Sequence, residues 1–169
     1  MRSVLVSAIS TIILLLLQAT WLSHGILLGI IPNLALGVIL FSAFINKDGQ
    51  GIISAFLAGL VADLLSASPL GYFAFLYAAC AYGATLLSYV TEKDIFVVPF
   101  LLGAGATIVM GVLSRIAVLI FSANVHAYQM FSAEFGVELI LNGFFSVLVF
   151  LALSFVQRFF EHSPRKALP

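Results

Sequence analysis

Polar residues in this chain fall in short clusters, and between them the sequence stays apolar for close to twenty residues at a time. A helix that crosses a bilayer needs about 20 mostly apolar residues, so the spacing of the breaks decides what the chain can fold into. The breaks are Ser23-His24-Gly25, Asn46 to Gln50, Ser66 to Pro69, Thr91 to Asp94, a less regular stretch ending at Phe131, and a polar tail from Gln157. They delimit six predicted transmembrane helices, over about 4–21, 26–45, 51–65, 70–90, 95–121 and 134–156, with 157–169 as a short basic cytosolic tail.

Composition agrees with that division. Only 8% of the 169 residues are charged and 63% are hydrophobic, with a mean hydropathy of +1.20. A soluble domain carries roughly 25% charged residues. The length allows a single transmembrane domain and little beyond loops. A net charge of zero gives no basic field for nucleic acid. The lone cysteine, Cys80, excludes an intrachain disulfide and a cysteine-based metal site. The first apolar run is too long for a signal-peptide core and no A-x-A-like site follows it, so it is expected to stay as the first span.

Orientation follows from the basic residues, which collect in cytosolic loops. Six spans put the N-terminus, the second and fourth loops and the C-terminus on one side. Those segments hold Arg2, Lys47, Lys93, Arg158, Arg165 and Lys166, six of the seven basic residues, and the opposite loops hold none. The expected fold is therefore an all-α membrane protein with six transmembrane helices and both termini in the cytosol.

Several spans carry residues at four-residue spacing, which places them along one stripe of a helix. The third has Gly51, Ala55, Gly59 and Asp63, and the fifth has Gly103, Thr107, Gly111 and Arg115. Both run outward from the cytosol, so both charges lie toward the outer end, ~20 and ~30 Å from the inner boundary at about 1.5 Å per residue. Small residues let helix backbones approach, and an intramembrane charge needs a partner, so an Asp63–Arg115 ion pair is expected. The sixth span aligns Glu134, Glu138, Asn142 and Ser146, and offers Arg115 a second partner. The second span presents Gly25, Gly29, Asn33 and Gly37, with Pro32 expected to kink it in mid-membrane. In the first, Ser3, Ser7 and Thr11 form a small stripe and Gln18 is an intramembrane amide.

Three readings of this interior stay open: packing seams with one register-fixing charge pair, a substrate cavity lined by Asp63, Arg115, Glu138 and Asn142, or a partner-binding surface using the same residues. The aromatic residues are expected to face lipid and anchor the interfaces, with Trp21 at an outer boundary. No catalytic pattern emerges. His24, His126 and His162 have no metal-ligating neighbour at helical spacing, and no serine sits in a G-x-S-x-G context. Glu134 with Glu138 on one helix face is weak support for acid/base work. No cofactor is expected.

The segment Gly51-x7-Gly59-Leu60-Val61-Ala62-Asp63-Leu64-Leu65-Ser66, followed by Pro69-Leu70-Gly71, resembles the best-marked stretch of the bacterial rod shape-determining MreD family. Gln18 late in the first span, Pro32-Asn33-Leu34, the chain length and the basic tail are similar to that family too. Asn33 stands where many members carry an acidic residue. The resemblance implies a non-enzymatic inner-membrane subunit of the cell-elongation machinery. Its implied partners are MreC, a single-span protein with a periplasmic domain, and, beside it, the MreB filament and RodA with its transpeptidase. It also implies a fold similar to the six-helix substrate-binding subunits of energy-coupling-factor vitamin transporters, with the Gly59–Asp63 region and the outer end of the fifth span shaping a pocket or a seat for MreC. A small-molecule-binding transporter subunit and a lipid-handling protein are the competing functions.

Overall fold

The computed structural model describes residues 30–46, 48–66, 68–91, 94–121 and 132–161. The expected first span, Gly25, Gly29, the Ser3/Ser7/Thr11 stripe, Gln18 and the tail from 162 lie outside them.

The described residues form five helices: α1 Leu34–Ile45, α2 Gln50–Leu65, α3 Tyr72–Val90, α4 Val97–Phe121 and α5 Ala133–Glu161. The last three are long and apolar enough to cross a membrane, whereas α1 and α2 are shorter apolar helices.

Helix ends follow local chemistry. The Asn33 side chain accepts the Leu36 N–H at 3.0 Å, so α1 starts after Pro32 with an asparagine cap. The expectation of a kinked helix running through Pro32 is corrected: residues 31–33 are not helical, and the helix begins at Leu34. Gly49 and Gly71, at φ +79° and +96°, stand at the starts of α2 and α3 in the left-handed region, where a side chain would be strained. Asp94 accepts the Phe96 and Val97 amides at 2.9 and 3.1 Å and caps α4, whose Pro99 lies in the first turn and so gives up no intrahelical donor. Ser132 caps α5 through the Phe135 amide. α5 runs on to Glu161, five residues past the expected end of the sixth span.

α1 sits at the centre and packs against all four other helices. Every residue from Ala35 to Phe44 is buried, as suits a helix that is apolar on all sides. Among the described helices α2 touches α1 and α3 only, and α4 and α5 pair closely. The core joins Leu36, Ile39 and Leu40 to Leu76, Leu102 and Met110. Aromatic residues contribute more to it than the sequence suggests. Phe41 and Phe44 close on Phe150, the first edge-to-face at 5.1 Å, and Tyr72 and Tyr77 are 3% and 2% exposed. The lipid-and-interface expectation for aromatics therefore fails for this group, because helices wrapped around a central α1 leave interior volume that large rings fill.

Candidate functional site

The stripe on α2 faces inward along its whole length. Gly51, Ala55, Gly59 and Asp63 are all buried. A methyl group at Gly51 would fall on the Ala43 backbone of α1, and one at Gly59 on the Ala74 backbone of α3. Four-residue spacing on a 3.6-residue helix drifts by about 40° per step, so the stripe begins against one helix and ends against another.

Asp63 closes that seam. Its Oδ2 accepts the Gly71 and Ala74 amides at 2.8 and 3.4 Å, and Oδ1 accepts the Phe73 amide at 2.7 Å. At 2% exposure the carboxylate is taken up by the first turn of α3, where unpaired N–H groups and the helix dipole both favour a negative charge. The expected ion pair with Arg115 is thereby corrected. α2 and α4 do not touch, and a helix terminus supplies what a guanidinium was expected to supply.

On α4, Gly103, Thr107 and Gly111 are buried while Arg115 is exposed. The same angular drift, about 120° over twelve residues, carries Arg115 out of the interior. On α5 the stripe runs the other way: Glu134 is exposed, Glu138 half-buried, Asn142 and Ser146 buried.

Asn142 is the centre of a polar network that joins four helices. Its Oδ1 accepts the Asn33 backbone N–H at 2.7 Å, and its Nδ2 donates to Thr107 Oγ1 at 3.0 Å. Thr107 passes its own proton to the Gly103 carbonyl at 2.9 Å. The Asn33 amide exchanges hydrogen bonds with the Tyr77 hydroxyl, donating from Nδ2 at 3.0 Å and accepting at Oδ1 at 3.3 Å. The chain of contacts thus runs from α3 through the start of α1 to α5 and α4. Nearby, the Tyr72 hydroxyl pairs with Ser114 of α4. Gly103 lets α5 close in, since a methyl there would strike Ser146 and the Asn142 carbonyl.

This arrangement is built from neutral amides and hydroxyls bonded to one another or to backbone. It contains no nucleophile beside a base. Among the described residues no group of three or more His, Cys, Asp or Glu is placed to hold a metal. Its chemistry is to fix helix positions, since hydrogen-bonded polar groups inside a membrane protein hold helices in one register.

The sequence reading singled out Asn33, Asn142 and Thr107 and missed Tyr77. The signal was present: a tyrosine in the body of a spanning helix, away from the interfaces where tyrosines collect, needs a partner for its hydroxyl.

A family model described as rod shape-determining protein MreD matches the chain over residues 1–159. No curated protein and no solved structure gives a match. The match covers nearly all of the chain and includes both the Gly51–Asp63 seam and the Asn142 network, so the chain belongs to the MreD family of membrane proteins that determine rod shape.

Proposed function

We propose that this protein is a non-enzymatic scaffold subunit of the bacterial cell-elongation complex. It spans the inner membrane six times with both termini in the cytosol, and it binds MreC through helix contacts. In this reading it supports peptidoglycan synthesis beside MreB and RodA with its transpeptidase, in a fold like that of the vitamin-transporter subunits. The observation that carries the reading is where the interior polar groups are used. Asp63, Asn33, Tyr77, Thr107 and Asn142 are bonded to the chain's own helices, while large apolar side chains such as Ile53, Leu64, Leu86, Leu101 and Phe144 face outward. A protein with so little mass outside the bilayer meets other proteins through such helix surfaces.

The test is affinity purification of the tagged chain from its native membrane in mild detergent, with mass spectrometry of co-purifying proteins and small molecules. We expect a bitopic MreC-like protein in stoichiometric amount and no stoichiometric metabolite. A vitamin-like ligand recovered with ATPase and coupling subunits would overturn the proposal and turn the interior into a binding pocket.

A further inference from the structure

The backbone in front of α1 is neither helical nor fully covered. Pro32 is buried, but Ile30, Ile31, Asn33 and Leu34 are each partly exposed. Asn33 has φ −85° and ψ 84°, and the Leu34 N–H bonds the Pro32 carbonyl at 3.2 Å, which makes an inverse γ-turn. The turn lies deep. α1 has 12 residues, about 18 Å at 1.5 Å per residue, and it ends at the polar break from Asn46. In a hydrocarbon core ~30 Å thick, its first residue is therefore roughly 12 Å below the opposite edge. The two helices bonded to the turn agree on the depth: Thr107 lies ~20 Å along α4 from Asp94, and Asn142 ~22 Å along α5 from Gln157.

Non-helical backbone at membrane depth is tolerated where protein buries it or where water reaches it, and does not face lipid. Partial exposure of this turn leaves water. The exposure also has a direction. Every residue from Ala35 to Phe44 is buried among the four helices around α1, so the open side of the turn lies beyond the end of α1, along its axis, and not sideways toward lipid. Two polar features point the same way. Asn33 Nδ2 carries two hydrogens, and among the described residues only the Tyr77 hydroxyl accepts from it. On α5, exposure grows turn by turn from buried Asn142 to half-buried Glu138 to exposed Glu134, a graded polar stripe of the kind that lines water-filled space inside membrane proteins.

We infer that a water-filled crevice opens at the end of the bundle away from Asn46 and descends to the Asn33 turn. Asn33 and Leu34 form its floor, and Glu138 stands on its α5 wall. Water in it takes the second Asn33 hydrogen and solvates the turn. The network of Asn33, Tyr77, Asn142 and Thr107 is then the seal between that water and the apolar core of Leu36, Ile39 and Leu40 beneath. That the crevice opens outward rests on the orientation proposed above; that it exists does not.

The test uses the full-length chain with Cys80→Ala and single cysteines at Ile31, Leu34 or Glu138, in right-side-out membrane vesicles. The controls are cysteines at Ile108 and Phe144, which are exposed at the same depth on the outside of the bundle, and at fully exposed Asp94. A charged, membrane-impermeant thiol reagent reacts with thiolate, which forms in water and not in lipid. Added outside, it should modify the three crevice positions at least tenfold faster than Ile108 or Phe144, and Asp94 should react only when the vesicles are opened. Crevice positions as slow as the lipid-facing pair would overturn the inference, as would crevice positions that react from the same side as Asp94. If the crevice and Asp94 react from opposite sides but with inside and outside exchanged, the crevice stands and the proposed orientation fails. A second measurement needs no substitution: hydroxyl radicals generated from water by X-rays should oxidise Ile31 and Leu34 in the unsubstituted chain in bilayers and spare Leu36. Oxidation of Ile31 and Leu34 no greater than that of Leu36 would overturn the inference even where a cysteine variant fails to fold.

Discussion

The hairpins α2–α3 and α3–α4 share a helix and are built from the same parts, yet one is closed and the other open. In each, an aspartate meets the N-terminus of the second helix: Asp63 for α3 and Asp94 for α4. Each also has glycines in its helices. In the first, Asp63 is buried and Gly59 lies on the Ala74 backbone; in the second, Asp94 is fully exposed and Gly83 and Gly105 face a gap. The difference lies in what the glycine meets. Small residues mark a place for close backbone approach in both hairpins, but among the described residues the chain's own backbone fills it only in the first.

The largest effect is expected at Asp63. Asp63→Ala strips three backbone amides of their acceptor inside the closed hairpin, and should lower stability by about 3 kcal/mol, measured as the shift in the SDS-unfolding midpoint in mixed micelles. Because Asp63 serves a helix terminus and α2 does not touch α4, adding Arg115→Ala should give losses that sum to within about 0.5 kcal/mol. Recovery of stability in the double variant would mean that the two charges do interact and that the helix-cap account of Asp63 is wrong.

Next comes a direct contrast between glycines. Gly59→Ala must push α2 and α3 apart and should cost about 2 kcal/mol by the same measurement. Gly83→Ala adds the same methyl group to open space and should leave stability unchanged or raise it by up to about 1 kcal/mol, the intrinsic helix preference of alanine. Equal effects at the two positions would erase the distinction between the hairpins. Between these in size is Tyr77→Phe, which leaves the Asn33 side-chain amide without its acceptor and should cost about 1 kcal/mol.

How much of this was legible in the sequence differs from residue to residue. The helical class was, because apolar runs of spanning length have few other solutions. The inward stripe Gly51, Ala55, Gly59 and Asp63 was also visible as a pattern, and its burial follows from small residues being useful only against another backbone. The partner of Asp63 was not. Charge counting proposes the other intramembrane charge, whereas a helix N-terminus carries no letter in the sequence and becomes an electrostatic partner only once the turn at Gly71 is built. Arg115 was misplaced for a geometric reason, since strict four-residue spacing looks straight on paper and winds around a helix by a third of a turn over twelve residues. Tyr77 was lost by treating the aromatics as one class. The contrast between Gly59 and Gly83 is invisible without coordinates, because both sit among alanines in apolar runs.

The smallest expected effect separates the two aspartates. Asp94 is fully exposed, and the backbone amides of Phe96 and Val97 hold its carboxyl below the usual aspartate range. Its ionised form is thus favoured in the folded chain. The stabilisation is fully present above the ordinary aspartate range, near pH 4, and is lost as pH falls through the depressed value. Hydrogen exchange at the Phe96 and Val97 amides, corrected for intrinsic rates and followed from about pH 6 down to about pH 3, should show protection falling only toward the acid end. Asp94→Asn should remove the pH dependence and leave a weaker, constant protection, since a neutral amide still accepts from these N–H groups. Solvent screens this site, so the change should stay confined to the first turn of α4 and leave global unfolding unaltered. A loss of global stability over the same range would mean that the α3–α4 link is part of what holds the bundle together, and that the second hairpin is less open than the gap at Gly83 and Gly105 implies.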